Sequence, residues 1–151
     1  MSIRDFDFLH GNWRVGHRYL RARLSGDDEW GEFTTRTTCR PILGGAGNID
    51  EGEFSEHGYH AMSLRLYNPG EDSWAIYWIT SRSTAIDPPM VGRFADGAGE
   101  FFGADTLDGV QVPCRFLWSV YGPDACRWEQ AYSADDGKTW ETNWYMDFTR
   151  I

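Results

Sequence analysis

The sequence predicts an all-β fold: a single antiparallel, up-and-down closed barrel of about ten strands, spanning residues 1–151 as one domain. Three observations predict it. Strand-like runs follow one another along the whole chain, joined mostly by short turns. There is no convincing helical period and no internal repeat of the roughly 20–50 residues that builds a propeller. Aromatic residues make up 16% of the chain and include eight tryptophans, a load that suits pleated sheet and large cavities better than helix bundles. Finally, Gly11-Asn12-Trp13 opens the first long run and Arg150 ends the last. If the sheet closes on itself, those two strands become neighbours and the guanidinium can lie on the Trp13 indole, a cation–π contact worth about 0.5–2 kcal/mol. Gly11 lacks a Cβ, so the backbone can turn sharply beneath the barrel floor. Closure also removes the two edges that an open meander exposes. A sandwich uses the same alternation and stands as the competing architecture.

In chain order, Phe6, Phe8 and Leu9 form a short lead-in expected to plug one end. From Trp13 the pattern alternates: Trp13, Val15, His17 and Tyr19 share one face, and Arg14 and Arg18 the other. The run is read through to Leu24, with a slip near Leu20 that predicts a bulge or bend. Ser25-Gly26-Asp27-Asp28 turns into Trp30 to Arg40, where Phe33, Thr35, Thr37 and Cys39 oppose Glu32, Arg36 and Arg40. The Leu43 to Asn48 segment, rich in glycine, is read as a flexible connection to an acidic strand, Ile49 to Phe54. His60 to Tyr67 and Trp74 to Ser81 form a hairpin around Asn68-Pro69-Gly70-Glu71-Asp72. Asp96-Gly97 is a two-residue hairpin turn between Met90–Ala95 and Ala98–Gly103, and it sets Arg93 opposite Glu100. Turns at Leu107-Asp108-Gly109 and Gly122-Pro123-Asp124 bound the run from Val110 to Tyr121.

The final hairpin carries the sharpest local prediction. Asp135-Asp136-Gly137 fits a three-residue loop with its glycine left-handed, which sets Trp128 opposite Trp144 and Tyr132 opposite Trp140. Gln130 and Thr142 then join that face, while Arg127, Glu129, Glu141, Asn143 and Asp147 take the other. Charges are costly to bury unless paired, so the aromatic face is expected to look inward.

The formal net charge of −9 argues against nucleic acid and against anionic membranes as partners. No apolar run approaches the roughly 20 residues of a spanning helix, and the N-terminal residues lack the pattern of a secretory signal. Cys39, Cys114 and Cys126 follow no disulfide spacing, so three reduced thiols and a cytoplasmic location are expected.

The runs Arg127 to Ser133 and Thr139 to Trp144, with the turn at Asp135-Asp136-Gly137 between them, resemble the C-terminal signature of a bacterial family of uncharacterised calycin-like proteins. Leu43-Gly44-Gly45, Gly92-Arg93-Phe94 and Gly103-Ala104-Asp105-Thr106 are similar to that family's pattern too, and the pairing of Gly11-x-Trp13 with Arg150 resembles that of the lipocalin superfamily. The resemblance spans nearly the whole chain. It implies a closed barrel of the fatty-acid-binding or lipocalin type, a fold that often holds one small ligand, and it implies no particular activity.

Candidate ligand-binding residues are Trp128, Tyr132, Trp140 and Trp144, with Gln130 and Thr142 as polar anchors and His17 and Tyr19 from the first strand. The competing reading is that the aromatics simply fill a narrow barrel and His17 is hydrogen-bonded to its neighbours. No metal set is assigned: His57 and His60 lie near Asp50, Glu51 and Glu53 but lack the converging spacing of a site. No nucleophile motif and no phosphate loop occurs. Two classes remain. One is a protein that binds a small hydrophobic or aromatic metabolite without a cofactor, with a homodimer left open. The other is a cofactor-independent isomerase, decarboxylase or hydrolase, with His17 or a buried carboxylate as general base. A haem-binding barrel is a variant of the first, with His17, His57 and His60 as candidate axial ligands.

Overall fold

The computed structural model describes residues 2–151. Ten strands follow in order: β1 (Gly11–Leu20), β2 (Trp30–Ile42), β3 (Gly47–Phe54), β4 (Tyr59–Asn68), β5 (Ser73–Thr80), β6 (Met90–Ala95), β7 (Ala98–Leu107), β8 (Val110–Gly122), β9 (Ala125–Tyr132) and β10 (Glu141–Arg150). Each pairs antiparallel with its sequence neighbour, and β1 pairs with β10, closing the barrel. In the closing seam Trp13 lies opposite Arg150 and Tyr19 opposite Trp144.

The turns follow from local chemistry. Asp96 and Gly97 both take positive φ (54° and 77°), as do Asp108 and Gly109 (51° and 80°). That is the geometry of two-residue hairpin turns whose twist matches the flanking strands. Arg93 faces Glu100 as the register requires.

The floor is built from the chain ends. Two 3₁₀ turns, Ser2–Arg4 and Asp7–Leu9, fold the lead-in across one mouth of the barrel and leave Phe6 and Leu9 with essentially no exposure. The Phe6 ring meets Trp74, Phe94, Phe101 and Trp118 at 4.9–5.9 Å between centroids. Arg150 lies 4.1 Å from the Trp13 ring centroid, and its guanidinium donates to the carbonyls of Phe8, His10 and Pro123. The Trp13 indole N–H in turn donates to the Leu9 carbonyl at 2.8 Å. Gly11 sits at φ 121°, and a Cβ there would lie 2.4 Å from an Arg150 nitrogen. One glycine, one tryptophan and one arginine thus weld the plug to the seam.

Three local expectations are corrected. The first strand ends at Leu20 rather than Leu24, because residues 21–29 leave the sheet and cross toward the open end. The segment after β2 is a defined 3₁₀ turn, Leu43–Gly45, rather than a loose connection. The last hairpin has no three-residue loop: its strands end at Tyr132 and begin at Glu141. Side chains order the residues between them, with Ser133 Oγ accepting from the Asp135 and Gly137 N–H groups and the Asp135 carboxylate accepting from the N–H and hydroxyl of Thr139. The bonds from Thr139, with one from the Ser133 hydroxyl, hold the Asp135 carboxyl down to about 2. A bulge between Thr142 and Trp144 shifts the register, so Gln130 faces Trp144, Trp128 faces Met146 and Tyr132 faces Glu141.

All three cysteines are free and buried, and burial pushes each thiol up to about 12. Among the described residues no helix is long and apolar enough to cross a membrane.

Candidate functional site

Above the plug the barrel encloses a cavity of about 400 Å³. Its lower part is polar. Arg65, 3% exposed on β4, donates to Asn48 Oδ1 at 2.9 Å and pairs with Asp50 at 2.6 Å. The same guanidinium lies 5.2 Å from the Phe6 centroid and 5.5 Å from that of Trp118. A buried charge costs several kcal/mol unless it is paired and hydrogen-bonded; here Asp50 supplies the pairing and Asn48 a hydrogen bond, while Arg65 Nε is buried without a partner. Sequence reading missed Arg65 because Ala61, Ser63 and Arg65 alternate with the apolar Met62, Leu64 and Leu66, so the pattern turns the arginine outward, whereas the sheet turns it in.

The middle of the cavity is aromatic. Trp144 packs edge-on against Trp128 (5.3 Å), Trp78 (6.0 Å) and Phe54 (6.4 Å), and Phe116 packs against Trp128 at 4.9 Å. All five line the cavity. Gln130 joins them, donating to Asn143 Oδ1 at 2.9 Å. The bulge explains that partner: Asn143 is expected on the outer face from strict alternation, yet it is fully buried and meets Gln130.

His17 is the best-defined polar group in the wall. Its Nε2 is 2.8 Å from Thr35 Oγ1, and its Nδ1 accepts the Trp144 indole N–H at 3.2 Å. An acceptor at Nδ1 places the proton on Nε2, so the ring is the neutral Nε2–H tautomer. Burial, and secondarily His57, pushes its pKa down to about 3. The ring stacks on Phe33 at 4.1 Å. Both nitrogens are therefore spoken for, and His17 has no free lone pair for a proton or a metal. His57 sits at the rim against Phe33 and Tyr19, and His60 is exposed. Among the described residues no group of three or more His, Cys, Asp or Glu is placed to hold a metal ion.

The remaining expected site residues divide. Tyr19 lies across Gly31 near the rim, packs on Phe33, and does not line the cavity. Tyr132 is buried beside the mouth, where its hydroxyl donates a short hydrogen bond to Asp105 Oδ2 and accepts one from Arg23 at 3.0 Å. Burial, with the Asp105 carboxylate adding to it, raises the Tyr132 pKa and keeps the phenol protonated. Trp140 and Thr142 are corrected: neither reaches the cavity. Trp140 covers the outside of the wall, 6.1 Å from the exposed Phe102 ring and 4.9 Å from the Arg115 guanidinium. The longer loop before β10 carries it there.

The mouth is formed by residues absent from the sequence-based set. Arg23 reaches in from the loop after β1, with its guanidinium 5.3 Å from the Tyr132 centroid and 6.0 Å from that of Trp144. The loop is fastened to the start of the adjacent strand β10 by Leu24 N–H to Glu141 Oε1 at 2.7 Å, and at its base by Arg21 N–H to the Glu29 carbonyl at 2.9 Å. Asp87 and Pro88, between β5 and β6, complete the rim with Ala104, Asp105 and Trp78. Comparison with protein-family models and with curated protein sequences finds no match.

Proposed function

We propose that the barrel binds one small hydrophobic or aromatic metabolite inside its cavity, as a cytoplasmic member of the calycin-like barrels whose pattern its sequence resembles. The observation that carries this reading is the about 400 Å³ cavity walled by Trp78, Trp128, Trp144, Phe54 and Phe116, with a few polar groups set among them. Pockets of this size and make-up are those that take small organic ligands. The three unpaired thiols fit a reducing compartment.

Binding is favoured over catalysis by the state of His17, whose two nitrogens are both committed inside the wall. The Tyr132–Asp105 pair supports a second reading, a cofactor-independent enzyme with Asp105 as the base, since that carboxylate lines the cavity. Turnover of a bound compound would separate the two.

Calorimetric titration with a panel of small aromatic metabolites, followed also by tryptophan fluorescence, tests the binding reading. One-to-one saturation with a tryptophan response is expected. Ala61 is 3% exposed and lines the cavity, so Ala61→Phe places a ring in the ligand's volume. It should reduce affinity by about a hundredfold while the variant keeps the native circular dichroism. Affinity unchanged in that variant would place the ligand elsewhere and defeat the proposal. Gln130→Leu is a poorer probe, because it would strand the buried Asn143 carbonyl.

A further inference from the structure

We propose that the ligand is a monocarboxylic acid with a planar apolar body, held head-outward so that its carboxylate meets Arg23 at the cavity mouth. This rests on the binding reading above and adds the ligand's chemical class and orientation to it.

The two arginines that line the cavity are unequal. Arg65 at the base already has a counter-charge: Asp50 pairs with one of its nitrogens and Asn48 accepts from another, while Phe6 and Trp118 lie against the guanidinium and its Nε is buried without a partner. A ligand anion there would have to displace an ion pair of 2.6 Å that is already desolvated. Arg23 is in the opposite condition. It gives one hydrogen bond, to the Tyr132 hydroxyl, and among the described residues no carboxylate lies within ion-pair distance of it. A guanidinium carries five N–H donors in a planar fork that matches a carboxylate. Most of that fork is unused, at the rim of an aromatic cavity.

The neighbouring acids do not fill the gap. Both Asp105 oxygens are engaged, Oδ2 by the Tyr132 hydroxyl and Oδ1 by the Thr106 N–H. Asp87 is exposed on the far segment of the rim. These two carboxylates, on a chain of net charge −9, disfavour a dianion, so a single negative charge is the one the mouth accommodates. Orientation follows from the layers: Arg23 lies over Trp144, which packs on Trp128 and through it on Phe116, and the ion-paired Arg65 sits at the base against the plug residue Phe6. The ring system goes into the belt and the acid stays at the mouth. The Arg23 loop, anchored by Leu24 and Glu141, then becomes part of the binding site.

Three probes that share one ring body and differ in charge test this by calorimetry: 1-naphthoate, 1-naphthylmethanol and 1-naphthylmethylammonium. The wild-type protein should bind the acid about tenfold more tightly than the alcohol, and the ammonium least. Arg23→Gln should remove that preference and leave the alcohol's affinity within about twofold. Ranking of the three by the wild type stands as a test even if the variant folds poorly. Absence of binding by all three would overturn the cavity reading together with this one. Equal binding of acid and alcohol, preference for the ammonium, or an Arg23→Gln effect equal on all three would overturn the head-group assignment alone.

Discussion

At the scale of single residues, His17 has a measurable consequence. A histidine held neutral with a folded pKa near 3 refuses a proton that the unfolded chain accepts near 6.5. Above pH 6.5 it adds nothing to the pH dependence of stability. As pH falls below 6.5 the unfolded state gains protons and the folded state does not, so stability drops by about 1.4 kcal/mol per pH unit until the folded pKa is reached. Between pH 6.5 and 5 that is a loss of about 2 kcal/mol. His17→Gln should be less stable at pH 7, since Thr35 and Trp144 lose well-placed partners, yet it should lack this part of the acid slope. Urea denaturation of both proteins at the two pH values reads the difference. Equal acid losses would mean that His17 titrates normally.

At the scale of elements, strands and tight turns were legible, and the reason is physical. Asp-Gly pairs at 96–97 and 108–109 announce positive φ directly, and alternation in β1 and β2 announces the inward face. The last hairpin was misread because its loop is held by side chains, Ser133 and Asp135, whose reach no dipeptide rule records. The longer loop set Glu141 opposite Tyr132, which sent Trp140 and Thr142 out of the site, and the bulge at Asn143 turned Asn143 in. Arg23 was invisible for a related reason: a loop arginine reads as solvated until the loop's course is known. Glycines divide just as sharply. In β6, a Cβ on Gly92 would lie 1.9 Å from the Glu100 carbonyl oxygen and 2.7 Å from Phe101 Cα, both backbone atoms that cannot step aside. At Gly122, where β8 ends, a Cβ would meet nothing within 4 Å. Gly92→Ala is therefore expected to cost about 3 kcal/mol, and Gly122→Ala to be neutral or slightly stabilising. Chemical denaturation of the two variants checks the contrast, and equal effects would contradict the β6–β7 packing.

At the scale of the whole molecule, closure was readable from Gly11, Trp13 and Arg150, while the cavity within was not, because volume depends on how ten strands shear together. Nine of the ten strand pairings join sequence neighbours, and only β1 with β10 brings the chain ends together. Closing so long a loop carries the largest entropic cost of any pairing. The seam should therefore form after the transition state, once the meander has been laid down. Arg150→Ala removes the 4.1 Å contact with Trp13 and the bonds to Phe8, His10 and Pro123, a loss of about 2 kcal/mol. If the seam is late, that loss falls on the unfolding rate. Unfolding should accelerate about thirtyfold, with refolding unchanged within about twofold. Stopped-flow denaturant jumps in both directions separate the alternatives. Should refolding slow by the full factor instead, the ends meet early and the barrel folds from its seam outward.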